Sequence, residues 1–414
     1  METDFQTVDE ARQKILSQLL PIAGTRTVAI RDALDQVLAA DLLSPINVPA
    51  HDNSAMDGYA FNSSCLKNAE ITNLKIVGTA YAGKPYAGTC AAGQCVRIMT
   101  GAVMPQNCDT VLVQENATVS GEQISFPPGA VKAGDNRRLT GEDLSIGKPA
   151  LPLGKVLRPA DLGLLASLGI AEVPVRRKLR VAFFSTGDEL RSLGQPLDEG
   201  CVYDSNRYTL WGMLTRLRFI ELLDMGVIHD SPEALETAMS QAIEQADVIV
   251  TSGGVSVGEA DYTKYVMEKL GSVDFWKIAM RPGRPMAFGQ VHHKINGDSA
   301  YLFGLPGNPV AVMVTFYAFV RDALFKLAHA NALPVPMLTA TLAQNVRKRP
   351  GRTEYQRARL VMENGKLTAH LTGAQGSGIL RSMSESDCLL VLAHEQGDLK
   401  AGDSAMALPF EGLI

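Results

Sequence analysis

Cysteine is scarce in this sequence and never falls in a CxxC pair: Cys65, Cys90, Cys95, Cys108, Cys201 and Cys388 are scattered along the chain. In a chain of 414 residues such thiols read as reduced and mostly buried, which argues against a zinc ribbon or a disulfide framework and fits a cytoplasmic setting. The seven histidines lack metal-ligand spacing, and His292-His293 reads as a solvated loop. A net charge of −5 leaves no basic stripe for nucleic acid. The N-terminus has no basic region followed by an apolar core, so no secretory signal is expected. The longest strongly apolar run, 309–320, is well short of the roughly 20 residues a membrane span needs. Also missing are GxxxxGK[ST], GxGxxG and a legible Ser–His–Asp arrangement, which disfavours a P-loop NTPase, a dinucleotide fold and a serine hydrolase.

What remains is a chain with 46% hydrophobic and 20% charged residues, long enough for two to four domains that each bury a core. Residues 5–20 read as an amphipathic helix ended by Pro21, and 30–40 as a second helical stretch. From Pro45 to Asp143 short β-rich runs (75–79, 96–99, 110–114, 124–126) alternate with Gly, Pro and Asn turns, the texture of a β domain. Residues 141–169 return to helix-compatible sequence and would pack beside the first helices. From Leu179 strands and helices alternate: strands at 181–185, 220–227, 248–252, 274–276 and 301–304, helices at 205–217, 232–245, 262–270 and 310–327. That rhythm implies a mostly parallel sheet covered on both faces. After Pro336 the β texture resumes (338–342, 355–361, 367–371), with a hairpin signal at Asn364-Gly365, so the last 80 or so residues form a small barrel or sandwich.

The chemistry concentrates where strands end. Residues 248–252 form an apolar, β-branched strand followed by Ser252, Gly253, Gly254, Ser256, Gly258, Glu259 and Asp261, with a helix from Tyr262. A strand, a Gly/Ser loop and a helix can hold a phosphate on backbone N–H groups and a helix dipole. Carboxylates beside such a cradle imply a cation. Ligands of open α/β sheets bind beyond the strands' carboxyl ends, and two more loops leave there: Ser185-Thr186-Gly187-Asp188-Glu189 and Gly304-Leu305-Pro306-Gly307-Asn308-Pro309. Asp204 and Asp230 could be no more than a helix cap and a turn residue. The converging pairs Asp188-Glu189 and Glu259/Asp261 instead suggest a hard divalent ion such as magnesium. Lys277, Arg281 and Arg284 follow strand 274–276; they could form a solvated turn, but beside a phosphate-binding edge the preferred reading is cations that hold a second anion.

Five motifs in order resemble one family: Asn53-Ser54-Ala55-Met56-Asp57-Gly58-Tyr59-Ala60, Arg97-Ile98-Met99-Thr100-Gly101-Ala102, Phe184-Ser185-Thr186-Gly187-Asp188-Glu189-Leu190, the run from Ser252 to Tyr262, and Gly304 to Pro309. Together they resemble the bacterial molybdopterin molybdenumtransferases, related to the gephyrin E domain and its plant counterpart. The resemblance implies a multidomain α/β protein. Its central doubly wound, mostly parallel sheet (179–330) would be joined by an inserted β-rich domain (45–143), a discontinuous helical linking domain (1–44 and 144–178) and a C-terminal β barrel (331–414). It implies a homodimer with active sites shared between subunits, transient contact with the adenylyltransferase that supplies the substrate, and neither nucleic-acid nor membrane partners. The implied reaction inserts molybdenum from molybdate into adenylylated molybdopterin and releases AMP with magnesium.

The resemblance also assigns residues. Asp57, Asp143, Glu189, Asp230 and Asp261 would be catalytic, with Glu189 and Asp261 holding magnesium. Thr100, Ser252, Gly253, Gly254, Ser256, Pro306 and Pro309 would bind the substrate, Pro306 and Pro309 also lying toward molybdate. Lys277, Arg281, Arg284, Arg357 and Ser377 would bind molybdate, with Asp57, Thr100 and Asp143 serving the other subunit's site. Arg281 and Arg284 stand where relatives commonly carry lysine, Ala311 where they often carry serine and His51 where they often carry phenylalanine. The competing classes are a non-catalytic scaffold, which need not keep Asp57, Glu189 and Asp261 together, and a phosphotransferase turning over ATP alone.

Overall fold

The computed structural model describes residues 5–254, 262–292, 299–331, 335–410 and 412. They fall into two compact units, one of Met1–Ala39, Gly154–Pro159 and Glu172–Ile414, the other of Ala40–Leu153 and Ala160–Ala171. In the first, strands β1 (Leu179–Thr186), β2 (Ile220–Ile228), β3 (Val248–Ser252), β4 (Gly271–Lys277), β5 (Pro285–His292) and β6 (Ser299–Leu305) form a sheet of order β2-β1-β3-β6-β5-β4. The first four strands in that order are mutually parallel, and β5 and β4 are antiparallel additions at one end. Strands β1 and β3 occupy the middle because they are apolar on both faces: every residue of β3 is buried, and in β1 only Arg180 is exposed.

Helices α1 (Ser205–Arg216), α2 (Pro232–Gln245), α3 (Tyr262–Leu270) and α4 (Pro309–Thr315) cover the sheet. Val181 and Phe183 of β1 pack with Leu210 and Leu214 of α1 and Val310 and Val314 of α4. The alternate residues Ala182 and Phe184 pack with Leu235 and Met239 of α2 and Val266 and Met267 of α3. The sheet is therefore doubly wound, as alternation along β1 requires. Pro232 stands at the start of α2, where it removes only an N–H that would be orphaned anyway, and Ser231 Oγ accepts from Ala234 N–H at 3.3 Å. Helix α4 continues through a π-helical turn, Phe316–Val320, into α5 (Arg321–Leu327).

The C-terminal strands Thr353–Glu363, Lys366–Leu371, Leu338–Leu342, Ser404–Pro409 and Cys388–Leu392 pair in that order, and the last pairs back onto the first, closing a five-stranded barrel. The hairpin at Asn364-Gly365 has φ of +50° and +75°, the left-handed pair its sequence requires. Met280–Arg281 pairs with Thr353–Glu354, fastening the barrel to the turn between β4 and β5. The second unit is built on a six-stranded sheet ordered Thr110–Val113, Gly58–Phe61, Gln94–Ile98, Thr72–Ala80, Gln123–Phe126 and Thr118–Ser120.

Two helical expectations fail. Within 30–40 only a 3-10 turn, Ile30–Asp32, forms; Asp35 takes φ +60°, and Val37 and Leu38 then bridge to Val156 and Val175. A left-handed residue ends any helix there. Of 141–169 only Pro159–Ser167 is helical. Strand β5 and the strands Cys388–Leu392 and Ser404–Pro409 were not anticipated from the sequence. All six cysteines are free thiols, and no helix among the described residues is long and apolar enough to cross a membrane.

Candidate active site

Strand register brings the chemistry to one edge. Ser185 pairs with Ser252, Ser252 with Leu305, Gly304 with Ala287 and Pro285 with Lys277. The carboxyl ends of β1, β3 and β6 and the amino end of β5 therefore lie side by side. A cavity of about 730 Å³ opens there, within the size range of small-molecule sites.

One wall is acidic. Glu189 and Asp230 line it, and Asp188 Oδ1 accepts the Asp230 N–H at 3.2 Å. Burial, then the neighbouring carboxylates of Asp188 and Glu189, raise the Asp230 carboxyl above its ordinary value. Asp230 Oδ1, Thr186 Oγ1 and Asn206 Oδ1 are buried without a hydrogen-bond partner among the described residues, and all three residues line the cavity. Each such orphan costs about 1–3 kcal/mol unless something supplies its bond.

The opposite chemistry comes from the β4–β5 turn and the barrel, which place Arg281, Arg284 and Arg352 in the lining with Gln375, Gly376 and Ser377. Arg352 pairs with the buried Glu354 at 2.8 Å, leaving Arg281, 4.0 Å from Glu354, and Arg284 as less committed cations. Asn206, in the first turn of α1, ties the middle of the floor together by donating to Ser252 Oγ at 2.8 Å and Gly307 O at 2.7 Å.

The sequence-derived residues divide into groups. Glu189, Asp230, Ser252, Gly253, Gly254, Arg281, Arg284, Pro306 and Ser377 share the cavity. Lys277 and Pro309 sit at the ends of lining segments without lining it. Arg357 is fully buried behind the wall: its guanidinium donates to Ala374 O (2.9 Å), Gly376 O (2.9 Å), Gln375 O (3.3 Å) and Ser382 Oγ (3.1 Å). Burial, then Arg281, pulls it down to about 10, still cationic at neutral pH. The structure thus places it behind the lining rather than in it, bonded to the loop that carries Ser377.

A second correction concerns Gly253, whose N–H donates to Leu305 O at 3.1 Å and so is committed to the sheet. Asp204 is a cap, accepting from Arg207 N–H and Ser185 Oγ–H. Asp57, Thr100 and Asp143 belong to the second unit. There Asp57 Oδ1 accepts both the N–H and the hydroxyl of Thr100 at 2.7 Å, which lowers its carboxyl, and Asp143 is exposed. Ser256, Glu259 and Asp261 lie outside the described residues, and among those described no group of three or more His, Cys, Asp or Glu is arranged to hold a metal.

Sequence reasoning missed Thr186, Asn206, Arg352 and Gln375. Arg352 ends the basic turn Arg347-Lys348-Arg349-Pro350-Gly351-Arg352, a signal that was visible.

Residues 6–169 match the MoeA N-terminal region (domains I and II), 182–326 a probable molybdopterin binding domain, and 339–410 the MoeA C-terminal region (domain IV). A molybdopterin molybdenumtransferase of Haemophilus influenzae is 41% identical over 410 residues, covering 99% of each chain. The chain belongs to the molybdopterin molybdenumtransferase family. A gephyrin of Dictyostelium discoideum is 31% identical over 97% of this chain and 62% of its own. The crystal structure of a molybdopterin biosynthesis MoeA protein from Pyrococcus horikoshii superposes with a TM-score of 0.83 at 26% identity, covering 98% of this chain and all of that one. Family membership makes the chain a transferase of molybdenum cofactor biosynthesis. It also gives the cavity a context, because the molybdopterin-binding match contains the acidic wall, Ser252 and both turn arginines.

Proposed function

We propose that this transferase inserts molybdenum from molybdate into adenylylated molybdopterin and releases AMP. The observation that carries the reading is the two-sided cavity: three orphaned polar atoms and a raised carboxyl on one wall, arginines on the other. A substrate with a pyrophosphate and a tetrahedral dianion asks for that division. Arg281 and Arg284 would hold molybdate, with Ser377 offering a hydroxyl and Arg357 fixing the loop that carries it. Ser252, oriented by Asn206, and Pro306 would bound the pterin side.

The acidic wall suits magnesium, since Asp230 Oδ1 is orphaned and its carboxyl is destabilised by its acidic neighbours, both of which a hard dication would relieve. Bound there with Glu189, and with Asp261 as a further ligand, magnesium would offset charge developing on the phosphate leaving as AMP. The working enzyme is proposed to be a homodimer in which Asp57, Thr100 and Asp143 serve the partner's site, fed by transient contact with an adenylyltransferase.

The test is AMP release from adenylylated molybdopterin. Release only with both molybdate and magnesium is expected. No release under conditions where a known family member turns over would overturn the reading.

A further inference from the structure

A second recess of about 580 Å³ adjoins the first and shares two of its residues, Arg281 and Arg352. It is otherwise lined by Arg347, Lys348, Arg349, Pro350, Glu354 and Asp398, so that with the two shared arginines five cations face two carboxylates. Both carboxylates are already engaged. Glu354 is buried and accepts from Arg352 at 2.8 Å, and Asp398 accepts the backbone N–H of Lys348 at 2.7 Å.

The loop that forms the recess is held rigidly. Lys348 is 3% exposed, and its ammonium donates to three carbonyls, Arg349 O at 2.8 Å, Gln396 O at 2.9 Å and His394 O at 3.3 Å. Gly351 N–H donates to His394 O at 2.9 Å, closing the turn. A buried lysine that locks its own loop leaves the two flanking arginines, Arg347 and Arg349, exposed on a fixed support. Among the described residues neither guanidinium has a carboxylate within ion-pair distance. Both line the recess, and a bound anion would offset their charge there.

We propose that this recess is an anion-capture vestibule, which takes free tetrahedral dianions from solvent and passes them across Arg281 and Arg352 into the main cavity. It rests on the reading of that cavity as a site that uses molybdate. Its ligand class follows from the donors: planar forks that bind an oxyanion through paired N–H groups, on a recess open to solvent and with no apolar platform to seat a pterin or a base. Two cations at the mouth raise the local dianion concentration and the rate of capture, an effect that salt screens.

The test uses the full-length Arg347→Gln/Arg349→Gln double variant and a charge-preserving Arg347→Lys/Arg349→Lys control, both checked for wild-type thermal unfolding. The kcat/KM for molybdate in AMP release should fall about threefold to tenfold in the glutamine variant at low salt. The deficit should shrink when salt is raised until the Debye length is about 8 Å. At saturating molybdate kcat should stay at the wild-type value, and the lysine control should recover most of kcat/KM. Equal kcat/KM for wild type and glutamine variant at low salt overturns the vestibule.

Equilibrium dialysis with molybdate alone separates this from failure of the reaction itself. If the wild type binds molybdate and the glutamine variant binds it more weakly, the vestibule stands even where no AMP is released. If both bind it equally, or neither binds it at millimolar concentration, the vestibule falls. An adenosine 5′-monophosphate arm distinguishes the free oxyanion from a phosphate ester: molybdate binding should depend on the two arginines, and AMP binding should not.

Discussion

Replacing Arg357 with glutamine separates two roles that the same arginine could play. In the structure its guanidinium is fully buried and makes four hydrogen bonds, to the carbonyls of Ala374, Gln375 and Gly376 and to Ser382 Oγ. Gln375 completes the clasp by accepting the Arg357 N–H at 2.8 Å and donating to Arg357 O at 3.1 Å. A shorter, neutral amide cannot span these partners, so at least two of the carbonyls lose the donor that pins their loop. The loss of four bonds made by a fully buried charged donor predicts destabilisation of about 3–5 kcal/mol, less than their sum because the individual terms are not additive.

With a urea slope of about 2 kcal/mol per molar, the barrel's unfolding midpoint should move down by about 2 M. Arg357→Lys keeps the charge but has one donor head in place of a fork, so it should fall between. The assay is urea unfolding followed by circular dichroism, with molybdate dialysis on the same samples below the transition. The reasoning is refuted if Arg357→Gln unfolds at the wild-type midpoint yet loses molybdate binding. That pattern would make Arg357 a direct ligand, as the family resemblance implied, and the clasp incidental.

This arginine also shows where legibility ends. In sequence, Tyr355-Gln356-Arg357 is simply the polar end of a strand, and its partners are backbone carbonyls, which leave no signature in residue types. The acidic wall was legible only in part. Glu189 follows β1, whose apolar run announces itself, and doubly wound topology brings the strand ends together, whereas Asp230, after β2, read from the residues alone as a possible turn residue and entered through the family resemblance. Strand β5 was hidden by its own requirements. Pro285 and Gly289 read as loop, yet a Cβ at Gly289 would stand 2.1 Å from Ser272 O, so the close approach of β4 demands glycine. The failed helix at 30–40 turned on Asp35, whose left-handed backbone is set by the bridge of Val37 to Val156, a contact far away in sequence. Local pattern reports what one element wants, and these three cases depended on what a distant element imposed.

Three further outcomes follow from the geometry. Gly254→Ala should destabilise the chain by about 1–3 kcal/mol in thermal unfolding, since φ is +65° and the new Cβ would stand 2.1 Å from Thr263 Oγ1; a neutral result would show that the turn can re-form without glycine. If the site is shared between subunits, Asp57→Asn and Glu189→Gln homodimers should each be inactive in AMP release. Mixing them under subunit exchange should then restore about a quarter of wild-type activity per site, the share expected when inactivating changes segregate to one of two sites in half of the dimers; no recovery in verified heterodimers argues against sharing. Asp230→Asn tests the acidic wall through pH. Burial beside Asp188 and Glu189 raises the folded carboxyl above 3.8, so over the window from 3.8 up to the raised value the unfolded chain gives up this proton first. The ionised form is then the one the fold disfavours, and this residue's contribution to stability declines as pH rises through that window and stays low above it. The neutral amide escapes the penalty, so Asp230→Asn should melt higher than wild type at pH 7, with the gap closing as pH falls toward 3.8. Added magnesium should narrow the pH 7 gap by stabilising the wild type alone, because the cation favours the carboxylate and has less to hold at an amide. A variant that melts below wild type at pH 7 and gains equally from magnesium would mean that Asp230 is an ordinary turn residue, and that the acidic wall is not where the cation binds.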